Sequence, residues 1–348
     1  MNILHLLVSG TTGGVEKQCY NELISSEHHF LYYIKKYGKW YDKSVSFGRT
    51  YGLFDGNFKL KLNNVRPILK SITKYAEDNK IEKVIIEHPG IVPLIVGLKL
   101  KKLGYNVYVY MHCSYYDYIS GSYFKKKAIN FLYKKSIKKL NGVIAISQFV
   151  KKTIIEYTKC AKYSDKIHVI YNGTILHEEN EIKRCPRDEI KFLYVGRIVE
   201  EKGIPNIINC LNKIKLNYKF YIVGTGCKIE EYKKLYENEN IIFCGEVIEI
   251  EKIYKKCDIF VHLPNYNEGF GITLIEAFNY GLPIISNYKG AIPEIVKDNF
   301  NGILLNNYSD FNDAVNNILT YYNEYSLNSI NDSKKYSIKK TLKKLEQL

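Results

Sequence analysis

The sequence predicts an α/β chain of two doubly wound halves, each a parallel sheet wrapped by crossover helices. Short β-rich runs alternate with longer helical patterns from one end to the other, which is how strands joined by crossover helices read. A charged, proline-containing stretch, HEENEIKRCPRDE at 177–189, interrupts the alternation once, as an interdomain linker would. The length of 348 residues accommodates two domains of about 150 residues each.

The opening NILHLLV reads as a first strand. It has no basic n-region, and its apolar run holds His5 and stops at Ser9, so a signal peptide is not expected. SGTTGGVEKQ follows, with Gly10, Gly13 and Gly14 ahead of a helix beginning near Val15. FLYYI, KVIIEH, NVYVYMH, GVIAIS and KIHVIYN supply further strands of the first half. Between them, GIVPLIVGL is about half the length needed to span a bilayer and contains Pro93. The segment SYFKKKAINFLYKKSIKKL from Ser122 plots as an amphipathic helix, with Phe124, Ala128, Ile129, Phe131, Leu132 and Leu140 on one side. Lys126, Lys127, Lys134 and Lys138 gather on the other. After the linker the strands resume with IKFLYVG, YKFYIVG, NIIFCG, CDIFVHL and PIISN, and a basic amphipathic helix begins near Ser333. The expected organisation is an N-terminal domain at 1–176, the linker at 177–189, a C-terminal domain at 190–330 and a last helix at 331–348. That helix is expected to lie against one of the domains, the N-terminal one being a candidate.

Composition narrows the function. At 46% hydrophobic and 25% charged residues the chain is not collagenous, mucin-like or wholly disordered. The net charge of +15 is almost all lysine, because only Arg49, Arg66, Arg184, Arg187 and Arg197 are arginines. Lysine attracts phosphate or anionic lipid diffusely, whereas base readout leans on guanidinium groups; the expected partner is acidic and is not a nucleic acid. An AT-rich genome would give the same Lys, Ile, Asn and Tyr excess. The eight cysteines show no Cys-x-x-Cys pair, so neither a zinc site nor a disulfide framework is expected.

Ligands of open parallel sheets bind beyond the carboxyl ends of the strands, and the second half concentrates its distinctive residues there. Arg197 stands just past FLYVG with Lys202 five residues on, a spacing that can grip a diphosphate from two sides. The other reading is a surface ion pair with Glu200 or Glu201. In NEGFGITLIEAFNYG, Gly269 and Gly271 flank Phe270, and a helix follows that Gly281 would stop. Its free N–H groups from Ile272 onward suit a phosphate. Glu268 precedes that helix, and Glu276 lies inside it among apolar neighbours, where a carboxylate needs a partner. The turns VGTG at Gly224 and FCG at Cys244 and Gly245 belong to the same rim, although the lone G-x-G lacks the third glycine of a dinucleotide fingerprint. In the first half, strand ends deliver His112, and also Glu87 and His88, beside the Gly14 loop.

With these residues in order, from GGVEK through His112, LYVGRIVEEKG, IVGTG and FCGEV to NEGFGITLIEAFNYGLPIISN, the chain resembles glycosyltransferase family 4. These are retaining nucleotide-sugar transferases of the GT-B fold, two Rossmann-like domains facing each other across a cleft. The resemblance is dense from Ile190 to Leu305, and its most specific element is Glu268 and Glu276 together with Arg197 and Lys202. It implies that Arg197 and Lys202 hold the donor diphosphate and Glu276 the ribose. Glu268 and the backbone of Phe270, Gly271 and Ile272 would hold the transferred sugar and distal phosphate. Gly14 would border the phosphates, with Gly224, Cys244 and Gly245 on the nucleotide side, and His112 would approach the reacting carbon. Asn265 stands where the family usually has serine, and residues 28–80, where the acceptor should be recognised, match poorly.

No Asp-x-Asp occurs in the sequence, so no metal or other cofactor is expected, and fixed cations would meet the charge that grows on the leaving phosphate. The expected activity is metal-independent, retaining transfer of a hexose-type sugar from a nucleoside diphosphate. The acceptor would be a lipid-linked or polysaccharide intermediate of bacterial surface-glycan synthesis, met in the cytoplasm at an anionic membrane face. A nucleotide-sugar epimerase and a non-catalytic nucleotide-sugar-binding subunit are the alternatives.

Overall fold

Each half of the chain folds about its own parallel sheet. The computed structural model describes residues 1–11, 13–115, 123–176, 182–186 and 188–348. Thr12, Ser122 and linker residues 177–181 and 187 lie outside them. The chain divides into two units, Met1–Ile175 with Ile338–Leu348, and Leu176–Ser337.

The first unit holds β1 (Asn2–Leu7), β2 (His29–Lys36), β3 (Thr50–Asp55), β4 (Ile81–Ile86), β5 (Asn106–Met111), β6 (Gly142–Ala145) and β7 (Ile167–Val169). Their order across the sheet is β3-β2-β1-β4-β5-β6-β7, all parallel. Parallel strands covered on both faces are apolar throughout, and Ile3, Leu4, Val84, Ile85, Val107, Val109, Val143 and Ile144 are fully buried. His5 is an exception, a histidine with no exposed surface at the middle of β1.

The second unit holds β8 (Ile190–Val195), β9 (Tyr218–Val223), β10 (Ile241–Gly245), β11 (Ile259–His262), β12 (Ile284–Asn287) and β13 (Gly302–Leu305). The order is β10-β9-β8-β11-β12-β13, again all parallel. Its core includes Phe192, Phe220, Val261, Leu263 and Ile285. In both sheets the order of strand addition reverses beside the first strand, at β1/β4 and at β8/β11. Such switch points open crevices at the carboxyl ends of the strands. The edge strands β3 and β13 are additions to the strands read from sequence.

Two connecting segments differ in character from a free tether or a simple wheel. Lys183, within the linker, donates to the carbonyls of Tyr254 at 2.9 Å and Lys255 at 2.8 Å, and also to that of Cys257. These are C-terminal carbonyls of the helix Ile250–Lys256, which lack intrahelical partners. The linker is thereby fastened to the second unit before β8 begins. The helix Tyr123–Lys139 buries Ile129, Tyr133, Ser136 and Ile137, whereas Phe124 is 81% and Phe131 65% exposed. At about 100° per residue the stripe through Ile129, Tyr133 and Ile137 points away from Phe124 and Phe131. The apolar side drawn from sequence is therefore corrected: Phe124, Ala128 and Phe131 stand in the open with the lysines. Among the described residues no helix is long and apolar enough to cross a membrane.

Candidate functional site

At the β8/β11 switch point, two loops meet. The chain leaves β8 through Arg197 and a single 3-10 turn at Glu200–Lys202, and it leaves β11 through Pro264 to Glu268. Asn265 binds them together: its N–H donates to the Glu201 carbonyl at 2.8 Å, and its side chain takes a hydrogen bond from Asn206 at 2.7 Å. The residue that departs from the family pattern thus still fastens the turn.

This knitting brings Lys202 against Glu268. The Lys202 ammonium lies 2.8 Å from Glu268 Oε2, with each side chain 13% exposed. The same oxygen accepts from the Tyr266 hydroxyl at 2.6 Å and faces His262 Nε2 at 3.2 Å. Burial works against the Glu268 charge, but the Lys202 charge and the His262 hydrogen bond outweigh it and hold the carboxyl well below its ordinary range. His262, by contrast, is kept below its ordinary value, chiefly by burial. Neither His262 nor Tyr266 was among the residues expected from sequence. His262 had the same signal as His112, a histidine closing an apolar strand.

Arg197 is exposed and makes no ion pair among the described residues, so the pairing with Glu200 or Glu201 is not formed. Its charge reaches Tyr194 and Tyr266, where it opposes the upward push of burial on both phenols. Arg197 is thus an exposed cation just past the end of β8, in the same loop as Lys202.

The helix Ile272–Asn279 begins immediately after this cluster. Gly271 enters it at φ +91°, and a Cβ there would stand 2.8 Å from Leu274 Cδ1, so the tight entry needs glycine. Phe270 is buried against Tyr336, ring centroids 5.8 Å apart. The first-turn N–H groups at Ile272 and Thr273 have no intrahelical acceptor, and the positive helix end lies at the same rim. One turn on, Glu276 Oε2 accepts from the Tyr254 hydroxyl at 3.2 Å, the partner that an apolar helix face required. Gly224 and Gly245 join two neighbouring turns, the Gly224 N–H donating to the Gly245 carbonyl at 2.8 Å. A Cβ at Gly224 would lie 1.9 Å from the Gly196 carbonyl oxygen, so this glycine is required by backbone packing. Cys244 is half-buried beside them, its thiol pushed up by burial.

His112 and Gly14 belong to the first unit. Gly14 opens the helix Gly14–Ser25, with no atom within 4 Å of where a Cβ would be. His112, just past β5, donates through Nε2 to Glu87 Oε2 at 2.6 Å, and Glu87 Oε1 lies 2.7 Å from His5 Nδ1. His5 Nε2 in turn meets His29 Nδ1 at 2.8 Å. His88 is 3.6 Å from Glu16 at the glycine-rich loop. The β1/β4 switch point of the first unit is therefore also polar and rich in histidine.

Residues 177–337 match the model for glycosyl transferases group 1, and residues 14–178 match that for glycosyltransferase family 4. An uncharacterised glycosyltransferase of Methanocaldococcus jannaschii is 32% identical over 258 residues, 65% of this chain and 64% of that one. The match thus spans just under two thirds of that relative's length. A 41.2 kDa protein of the cps region of Klebsiella pneumoniae is 27% identical over 290 residues, 78% of this chain and 77% of that one. Among solved structures, Anabaena HepE in complex with UDP superposes with a TM-score of 0.81 at 17% identity, covering 100% of this chain and 99% of that one. The fold is that of the GT-B structures, and the chain, matched in order by the family 4 and group 1 models, belongs to the glycosyltransferases.

Proposed function

We propose that this protein transfers a hexose-type sugar from a nucleoside diphosphate to an acceptor hydroxyl, with retention and without a metal. The observation that carries the reading is the Lys202–Glu268 pair at the β8/β11 switch point, with Arg197 in the same loop as Lys202 and a helix start beside the pair. Arg197, Lys202 and the helix N–H groups are fixed positive partners for charge that develops on a departing diphosphate. Glu276, which accepts from the Tyr254 hydroxyl, is the carboxylate assigned to the ribose hydroxyls. HepE, which shares the fold, binds UDP and glucose.

The Glu268 carboxylate is engaged by Lys202, Tyr266 and His262, which suits it to orienting sugar hydroxyls rather than to attacking carbon. Transfer is then a same-face exchange. The bond from the sugar C1 to the phosphate oxygen breaks with its electron pair leaving on phosphate. The acceptor oxygen bonds to C1 on that face, and its proton passes to the departing phosphate oxygen.

The acceptor is a lipid-linked or polysaccharide intermediate of surface-glycan synthesis, in keeping with the cps-region relative. The chain would work in the cytoplasm at the membrane face, where exposed Phe124 and Phe131 stand among Lys127, Lys134 and Lys138. Each lysine near an anionic surface contributes about 1 kcal/mol.

Thermal-shift screening against nucleotide sugars, followed by turnover with the stabilising donor, tests the activity. Retained anomeric configuration in the product, or slow donor hydrolysis without acceptor, is expected. Donor epimerisation without acceptor would overturn it, as would failure of every donor to bind.

A further inference from the structure

In the first unit, the end of β4 carries a carboxylate whose two oxygens are each committed to a different imidazole. Glu87 is buried, with 1% of its side chain exposed. Oε2 lies 2.6 Å from His112 Nε2 and Oε1 lies 2.7 Å from His5 Nδ1. An ionised carboxylate is an acceptor only, so both of those nitrogens carry hydrogen. Burial pushes the Glu87 carboxyl up, but the two imidazole hydrogen bonds bring it well below the usual carboxylate range, so ionisation is secure.

The consequence for His112 follows from imidazole chemistry. A neutral ring with hydrogen on Nε2 has a bare lone pair on Nδ1. The His112 side chain is 8% exposed, and Nδ1 is buried with no hydrogen-bond partner among the described residues. The ring packs on Tyr110, centroids 4.4 Å apart, so it cannot swing freely to exchange its nitrogens. A buried acceptor without a donor carries an uncompensated desolvation cost, which a ligand hydroxyl would remove.

Behind Glu87, His5 is held in the same way. Its Nε2 meets His29 Nδ1 at 2.8 Å, with Glu22 Oε2 at 3.5 Å. The His5, Cys19 and Glu22 ligand-type atoms lie within 4.8 Å of one another, but both His5 nitrogens are already engaged. The cluster therefore serves as a hydrogen-bonded buttress.

We propose that Glu87 is a positioning residue: it fixes His112 as the Nε2–H tautomer and presents Nδ1 as an acceptor to a hydroxyl of the transferred sugar, with His5 and His29 holding Glu87 in place. The proposal rests on the glycosyl-transfer reading for the identity of the hydroxyl, not for the tautomer.

The test uses the full chain labelled with ¹⁵N-histidine. Long-range proton–nitrogen spectra distinguish protonated from bare ring nitrogens, and His112→Gln identifies the His112 signals. Wild type should show His112 protonated at Nε2 and bare at Nδ1, and Glu87→Gln should lose that preference. Turnover of Glu87→Gln should fall about tenfold, the size of one lost hydrogen bond, while affinity for the nucleoside diphosphate alone stays unchanged. A wild-type His112 protonated at Nδ1 overturns the proposal, as does an unchanged His112 tautomer in Glu87→Gln. If Glu87→Gln fails to fold, the wild-type spectrum alone decides. Should the chain transfer no sugar while His112 keeps the Nε2–H form that Glu87→Gln loses, the positioning role stands and only the glycosyl-transfer reading falls.

Discussion

Replacing Glu268 by Gln removes one charge from a side chain that meets Lys202, Tyr266 and His262, while keeping its shape. At 2.8 Å from Lys202, the pair attracts by about 6 kcal/mol at an effective dielectric of about 20. Withdrawing both groups from water offsets much of this, and losing one partner leaves a mostly buried ammonium uncompensated. The net loss should be about 2–3 kcal/mol, below the range for fully buried pairs. The pH dependence has a definite sign. The Glu268 carboxyl is depressed from an ordinary value of 4.5, so its contribution is complete above that pH and is lost as pH falls through the folded value. Urea unfolding at pH 7 should therefore separate wild type from Glu268→Gln by the full amount, and the gap should narrow in the acid range below pH 4.5. Turnover should be lost at pH 7 while nucleoside-diphosphate binding, read by calorimetry, survives. A variant as stable as wild type at pH 7, or a gap that widens on acidification, would refute the ion-pair reasoning.

Arg197→Ala should slow transfer by roughly 10²- to 10³-fold, with chelator leaving wild-type rates intact; near-normal turnover of the variant removes Arg197 from the site. Glu276→Gln should weaken binding of both the free nucleoside diphosphate and the whole donor, and titrations equal to those of Glu268→Gln would contradict the division of labour. The Glu22 carboxyl is pushed up to about 7, chiefly by burial. A raised folded value means that ionisation costs stability as pH rises from about 4.5, so Glu22→Gln should gain up to about 3 kcal/mol over wild type at pH 8 and little at pH 4. Equal effects at both pH values would show that Glu22 does not titrate in this range. Changing Lys126, Lys127, Lys134 and Lys138 together to Gln should abolish low-salt co-sedimentation with anionic liposomes, and Phe124→Ser with Phe131→Ser should weaken it. A wild type that ignores such liposomes points instead to a soluble acceptor.

The interior strands were legible because strands buried on both faces are written as unbroken apolar runs, as in KVIIEH and IKFLYVG. Of the edge strands, β7 and β10 were read as well, but β3 and β13 were not: TYGLFD of β3 carries Gly52 and Asp55 in a half-exposed run, and GILL of β13 follows loop residues 299–301 with no polar alternation to mark it. Lys202, Glu268 and Glu276 were readable from their spacing around strand ends and glycines. Their partners were not, because partner choice depends on which strands become neighbours. Lys202 and Glu268 are 66 residues apart and meet because β8 lies beside β11. His5 and Glu87 are 82 residues apart and meet because β1 lies beside β4. The helix bearing Phe124 was misjudged for a related reason: periodicity defines stripes, but only the neighbouring sheet decides which stripe it covers.

The helix Ile338–Gln347 belongs to the first unit although it is translated after the whole of the second. Lys83, on β4, donates its ammonium to the Leu345 carbonyl at 2.6 Å, and Thr341 donates to the Tyr171 carbonyl at 2.9 Å. At Gly173 a Cβ would come within 2.6 Å of Ile338 Cα, so the chain is shaped there to receive the helix. The first unit is thus completed by chain that follows the second: without the docked helix the Lys83 ammonium, buried on β4, loses the Leu345 carbonyl and is left as an uncompensated charge, so the integrity of the first sheet is tied to a segment beyond the other unit.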